Sequence, residues 1–234
     1  MKNIAIIPAR GGSKRIQKKN IKYFNGQPII GYVIEKALGC KIFDNVFVST
    51  DCMEVGEVAK RFGAEIPFIR PTEISDDQTS VVEVIRHAIN HFDQITNTLS
   101  TVCLIYPTAP LLDVKDLGEG FKLLENADFS ISVSEFPFPI ERALKFNGAN
   151  NLIEMRDKKN FLVRSQDLPQ TFHDAGQFIF GHKNSWIKKN PMIDGKNSPV
   201  FIARERVQDI DNAADWKYAE MKSAILKKLN RREK

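Results

Sequence analysis

The chain has 234 residues, 42% hydrophobic and 27% charged, enough for one domain with a sizeable core and too balanced for a disordered or fibrous polypeptide. No apolar run reaches the length of a membrane span and no signal-peptide layout opens the chain, so a cytoplasmic protein without a membrane partner is expected. The net charge of +5 is concentrated at the two ends, with five basic residues against one acidic among the last eight. No basic stripe is interleaved with aromatics, so no nucleic-acid partner is expected and the tail reads as a solvated helix end.

In chain order, Asn3–Pro8 is a short apolar run of strand type. Gly11-Gly12 follows, and then Arg10, Lys14, Arg15, Lys18, Lys19 and Lys22 place six basic residues within thirteen positions, with no acid before Glu35. A strand running into a Gly-rich cationic loop is how α/β proteins cradle a polyphosphate: Gly lets backbone amides approach the oxygens, and Lys and Arg add charge-assisted hydrogen bonds. The competing reading is a solvated basic arm. Neither the G-x-x-x-x-G-K-[ST] nor the G-x-G-x-x-G spacing is present, so the loop is a different solution to phosphate binding.

Pro28–Leu38 carries a helical apolar stripe, with Gly39 just past its end. Asn45–Ser49 is a strand. Asp51 with Glu54 predicts an N-cap and capping box closed by Gly63, and Glu65–Ile69 a shorter strand. Ser80 with Glu83 opens the next helix, Thr101–Tyr106 is a central strand, Asp113 starts another helix, and Phe129–Ser134 is one more strand. This alternation predicts an α/β fold: a mostly parallel sheet with helices on both faces, whose ligands bind at the strand carboxyl ends, in the loops after Pro8, Ser49, Ile69 and Tyr106. Cys40, Cys52 and Cys103 are expected to be free and structural.

From about residue 136 to 172 the alternation breaks, and an Asn147-Gly148 turn between strand-like pieces reads as an extended hairpin arm, disordered or packed on another subunit. The whole, residues 1–234, is expected to be a single domain carrying that arm. After the strand-like piece Pro199–Val207, Asp209 and Asp211 put two carboxylates on one side of an extended backbone. Such a pair suits Mg²⁺, which takes oxygen ligands and bridges carboxylates to phosphates. Helix capping competes for these acids, but Asn212 with Asp215 accounts for a cap without Asp209. Arg70, at a strand end, suits an oxygen-rich ligand or a neighbouring carboxylate. His173 and Asp174 are adjacent on extended backbone and point to opposite faces, so they do not form a dyad. The histidines and cysteines have no zinc spacing.

The run Ile7–Asn20, I-P-A-R-G-G-S-K-x-x-x-x-K-N, closely resembles the signature of the CMP-sialic acid synthetase family of cytidylyltransferases, and the resemblance covers essentially the whole chain. It implies a mostly parallel (mixed) Rossmann-like sheet of the nucleotide-diphosphosugar transferase type, with the arm serving dimerisation and crossing to the partner's site. It implies transfer of CMP from CTP to an acidic nine-carbon sugar, with Mg²⁺ on Asp209 and Asp211. The loop residues Arg10, Gly11, Gly12, Ser13, Lys14 and Lys19 would serve the triphosphate, and Asn20, Arg70, Ser75 and Asp76 the cytidine end. Arg10, Lys14, Lys19, Asp209 and Asp211 would carry the catalysis. Arg15 and Lys18 are expected to be solvated. Tyr106, Arg164, Gln166 and His173 would face the sugar, with Arg164 on its carboxylate. Sialic acid synthetases carry Gln where Tyr106 stands and Arg where His173 stands. Together with R-S-Q-D-L and H-D-A-G-Q-F, these departures make the chain most similar to the pseudaminic acid branch. N-acetylneuraminic or legionaminic acid as acceptor, and a nucleotide- or RNA-binding protein using the basic loop, are the rival readings.

Overall fold

The computed structural model describes residues 1–95 and 98–232. The strands are β1 (Lys2–Pro8), β2 (Tyr23–Phe24), β3 (Gln27–Pro28), β4 (Asn45–Ser49), β5 (Leu99–Ile105), β6 (Phe129–Glu135), β7 (Leu144–Asn147), β8 (Leu152–Met155), β9 (Phe172–His182) and β10 (Asn197–Phe201). The helices are α1 (Ile29–Gly39), α2 (Met53–Arg61), α3 (Val81–Ile95), α4 (Val114–Leu123), α5 (Lys183–Lys188) and α6 (Ala213–Arg232). Six strands form one sheet in the order β10-β6-β9-β5-β1-β4. β1 lies parallel to β4 and β5, and β10 parallel to β6, while β9 runs antiparallel between β5 and β6. The mixed α/β architecture expected from the alternation is therefore present.

The sense of β9 follows from the arm. Glu135, the last residue of β6, pairs with Phe172, the first of β9, so the chain leaves and re-enters the sheet at the same end of the strands. A strand resumed in that way can only run back alongside the one it left. Sequence reading did not foresee β9, because its opening His-Asp-Ala-Gly-Gln is polar and Gly176 (φ 63°) sits in it as an irregularity.

Period-two alternation divides the core. Ala5 and Ile7 of β1 face one side with Val33, Ile34, Leu117 and Phe180, whereas Ile4 and Ile6 face the other with Ile85, Ile89, Phe129 and Trp186. A third cluster, of Ile16, Phe24, Ile29, Ile210, Trp216 and Ala219, ties the basic loop to α1 and α6. Its position matters because Ile210 is the residue between Asp209 and Asp211.

The capping box at α3 is present: Ser80 N donates to Glu83 Oε2 at 2.9 Å and Glu83 N to Ser80 Oγ at 3.3 Å, worth about 1 kcal/mol for the cap. Asp113 caps α4 through the Lys115 amide at 2.9 Å. Asp51 does not cap α2. Cys52 occupies that position with no side-chain cap, and Asp51 turns to the loop after β1. Glu65–Ile69 makes only isolated bridges to Phe47 and Thr50, because its Pro67 has no N–H for a continuous ladder. Gly39 stays inside α1, and the left-handed residue beyond it is Lys41 at φ 57°.

The arm contains a two-stranded hairpin, β7 with β8, and leaves Leu144, Phe146, Leu152, Ile153, Phe161 and Leu162 exposed, the last at 88%. The three cysteines are free. No described helix is long and apolar enough to cross a membrane. Glu233 and Lys234, part of the basic tail, lie outside the described residues.

Candidate functional site

Two adjoining cavities open at the carboxyl ends of β1, β5 and β6, where antiparallel β9 begins, and share Tyr106 and Thr108. The first, about 310 Å³, is lined by Arg10, Ser13, Lys14, Arg15, Lys19, Asn20, Arg70, Asp76 and Asp77. The second, about 740 Å³, is lined by Tyr106, His173, Asp174, Arg204, Lys222 and Asp209 among others. The structure thus brings most of the predicted residues to one region.

The loop holds its shape through specific contacts. Gly11 N donates to Asp51 Oδ1 at 2.8 Å, and a Cβ on Gly11 would meet the Cys52 Cβ at 2.7 Å, so only glycine fits there. Gly11 thus shapes the backbone of the loop, its amide held by Asp51, and neither Gly11 nor Gly12 lines the first cavity. Asn20, buried, donates to Arg10 O at 2.9 Å and so spans the two ends of the loop. Lys19 Nζ donates to Ile210 O at 2.7 Å and lies 3.9 Å from Asp211, which joins the loop to the acidic segment. Burial lowers the pKa of Lys19, and Asp211 and Asp209 act in the opposite direction.

Arg10 and Lys14 share one partner that sequence reading passed over. Both approach Asp77, each at 2.5 Å, and their hydrogen bonds hold its carboxyl below the usual range. Nothing in the polar run from Ser75 to Ser80 marked Asp77 above Asp76. Asp76 instead closes its own turn, accepting from the Gln78 and Thr79 amides and the Thr79 hydroxyl. A bound polyphosphate would have to take Arg10 and Lys14 from Asp77. Asp77→Asn is therefore expected to bind inorganic pyrophosphate roughly two- to tenfold more tightly at low salt, as read by calorimetry. Unchanged affinity would show that the carboxylate does not compete for these cations.

Arg70 is buried at 4%, its Nε donating to Ser75 Oγ at 3.1 Å and its guanidinium 4.0 Å from Asp51. Burial lowers its pKa. Ser75 does not line the first cavity, and its hydroxyl is instead the acceptor for Arg70. Lys18 is a surface residue paired with Glu54, as expected. Arg15 is likewise exposed, as expected, and it also lines the first cavity and pairs with Asp211 at 2.7 Å.

Asp211 thus faces the loop, and Asp209 lines the second cavity. The Asn212–Asp215 cap forms as read, with Asn212 Oδ1 accepting from the Ala214 and Asp215 amides, so Asp209 is left out of capping. Among the described residues no three or more His, Cys, Asp or Glu close around a cation. Two solvent-accessible carboxylates, Asp209 at the second cavity and the half-buried Asp211 facing the loop, still fit a cation such as Mg²⁺, which completes its shell with water and phosphate oxygens.

Burial raises the Tyr106 pKa well above the phenol range, with Asp174 and Asp209 adding to it, so the hydroxyl stays protonated and able to donate. Burial also raises the Asp174 carboxyl. His173 Nδ1 lies 2.8 Å from its neighbour's carbonyl, Asp174 O, and its ring packs on Phe136. No dyad forms, in agreement with the extended geometry. Arg164 and Gln166 are not at either cavity in one chain. Arg164 pairs with Asp167 at 2.8 Å within the arm, and Gln166 lines a separate groove at the arm's base.

The family model described as Cytidylyltransferase matches residues 4–222. A pseudaminic acid cytidylyltransferase of Campylobacter jejuni is 42% identical over 98% of both chains. An N-acylneuraminate cytidylyltransferase of Escherichia coli is 28% identical over 99% of this chain and 54% of its own length. Among solved structures, a CMP:2-keto-3-deoxy-manno-octonic acid synthetase complexed with CTP superposes with a TM-score of 0.70 at 14% identity, covering 97% of this chain and 100% of the other, which speaks to the fold alone.

Proposed function

The chain belongs to the cytidylyltransferase family, and we infer that it transfers CMP from CTP to the anomeric hydroxyl of a nine-carbon α-keto acid sugar, releasing pyrophosphate. The observation carrying this reading is the meeting of a cationic cavity and an acid-lined cavity at Tyr106. In this reading Arg10, Ser13, Lys14 and Lys19 hold the triphosphate, joined by Arg15. Asn20 and Arg70 face the cytidine end, and the acceptor occupies the larger cavity. Its anomeric oxygen attacks the α-phosphorus in line while the bond to the β-phosphate breaks. Such transfers need positioning and charge neutralisation more than covalent help from the protein. Asp209 and Asp211 would hold Mg²⁺, which when bound neutralises charge between acceptor and α-phosphate and acidifies the hydroxyl. Pyrophosphate release with CTP, Mg²⁺ and a panel of acidic sugars tests the reading. Base-indifferent binding that only falls with salt would support a nucleic-acid binder instead.

Pseudaminic acid is the acceptor we infer. The 42% relative carries that name, and the relative named for N-acylneuraminate is less similar. A Tyr presents one polar atom on an apolar ring, whereas Gln offers both donor and acceptor, and pseudaminic acid has fewer hydroxyls and ends in a methyl group. It should be turned over far more efficiently than N-acetylneuraminic acid, and Tyr106→Gln with His173→Arg should narrow the gap. Equal or better turnover of N-acetylneuraminic or legionaminic acid by the unaltered protein would overturn this substrate choice.

The arm is inferred to pack on a second copy, since its apolar side chains are too many and too exposed for a surface hairpin. In that arrangement Arg164 and Gln166 would reach the partner's larger cavity. Light scattering should give a dimer mass, and a monomer at micromolar concentration would refute the arrangement.

A further inference from the structure

Asp209 stands on a segment with little regular structure of its own, yet it is held from both sides. Downstream, Ile210 is fully buried and its carbonyl accepts from Lys19. Upstream, three separate elements converge on the turn at Arg204–Arg206. The Arg206 guanidinium makes a forked pair with Asp116 of α4: Nη2 donates to Oδ1 at 3.0 Å and Nη1 to Oδ2. The Arg206 carbonyl accepts from Gln177 Nε2 of β9 at 2.7 Å, and the Val207 carbonyl accepts from Lys222 Nζ of α6 at 2.6 Å. Gln177 is exposed at only 2%, and its own carbonyl accepts the Tyr106 amide at 2.9 Å. One residue therefore ties the strand end bearing Tyr106 to the turn that precedes Asp209.

Asp116 is in the first turn of α4, but Asp113 already caps that helix, so the helix does not require it. An ion pair taken out of water stabilises a fold little compared with an apolar pair of the same size. What the fork supplies is direction, because a planar guanidinium on a carboxylate fixes two distances at once. Gln177 Oε1 is buried without a hydrogen-bond partner, so this side chain is kept for the bond its amide makes.

We propose that Asp116, Gln177 and Arg206 are positioning residues that hold Asp209 in register with Tyr106 across the larger cavity. The proposal rests on the reading of Asp209 as a metal-binding residue. Loss of groups that orient such a residue typically costs about 10–100-fold in metal affinity or activity.

The test replaces the fork by an apolar pair, Asp116→Leu with Arg206→Met, alongside Arg206→Lys, which keeps the charge and loses the fork. Turnover, the KM for CTP, Mn²⁺ affinity by electron paramagnetic resonance and the thermal midpoint are measured for each. The expected result for the apolar pair is a kcat lowered about 10–100-fold and Mn²⁺ binding weakened to a similar degree, with the KM for CTP within about twofold and the thermal midpoint retained. Arg206→Lys should recover only part of the loss. Wild-type kcat and Mn²⁺ affinity in the folded apolar pair would overturn the proposal. Asp209→Asn, measured separately, reads the metal assignment by itself: unchanged Mn²⁺ affinity there overturns that assignment, and with it the route by which the clamp is held to act.

Discussion

Asp209→Asn and Asp211→Asn are each expected to lower turnover by about two to three orders of magnitude while leaving the fold intact, the size of effect that losing metal-assisted charge stabilisation should have. An amide keeps the shape of the carboxylate and removes its charge, so packing around the buried Ile210 should survive. The two variants should differ in a second respect. Asp211 is the partner of Arg15 at 2.7 Å and stands 3.9 Å from Lys19, so its loss also frees cations that face the triphosphate. Asp209 lines the larger cavity, the proposed acceptor site, with Tyr106 and Asp174. Asp211→Asn should therefore disturb the KM for CTP, and Asp209→Asn the response to the acceptor. Full rate at ordinary Mg²⁺ in Asp211→Asn would sink the metal assignment and leave the segment only its capping role.

Lys14→Ala and Arg10→Ala carry the second large expectation, a loss in kcat of about 10²–10³-fold with cytidine recognition much less affected. In the proposed binding mode both cations serve the triphosphate, whereas Arg70 and Asn20, which line the same cavity, serve the cytidine. Cytidine or CMP inhibition constants should hardly move in these variants. Lys18→Ala is the internal control, since its ammonium is already engaged by Glu54 at the surface. Equal losses in all three variants, moving together with salt, would replace the specific cradle by a diffuse basic arm.

Much of this was legible before any coordinates. β1, β4, α3 and β5 declare themselves through alternation, apolar runs and a capping box, all of which are local and need no tertiary information. The basic loop was legible because charge without nearby compensation stands out in a sequence, and the pair at Asp209 and Asp211 because of its acidic-x-acidic spacing. The failures share one cause, which is that a partner far along the chain took over a residue with a plausible local role. Asp51 fits a cap but serves the Gly11 amide forty residues away. Asp77 was invisible because its cations lie in another loop, and β9 because its direction depends on where the arm returns.

The doubly engaged Asp77 gives the basic loop a threshold. With its own carboxylate bridging Arg10 and Lys14, the loop is partly neutralised at rest, and an incoming anion is in contest with a tethered rival present at high effective concentration. Chloride, single phosphates and the widely spaced charges of a nucleic-acid backbone would offer one contact at a time and lose that contest. A triphosphate would present several adjacent oxygens to both cations together and win it. In the proposed reaction the same rival would be on hand once the bond to the β-phosphate had broken, ready to reclaim the cations as pyrophosphate departs. Discrimination by charge density and release of the leaving group would then be two faces of a single side chain.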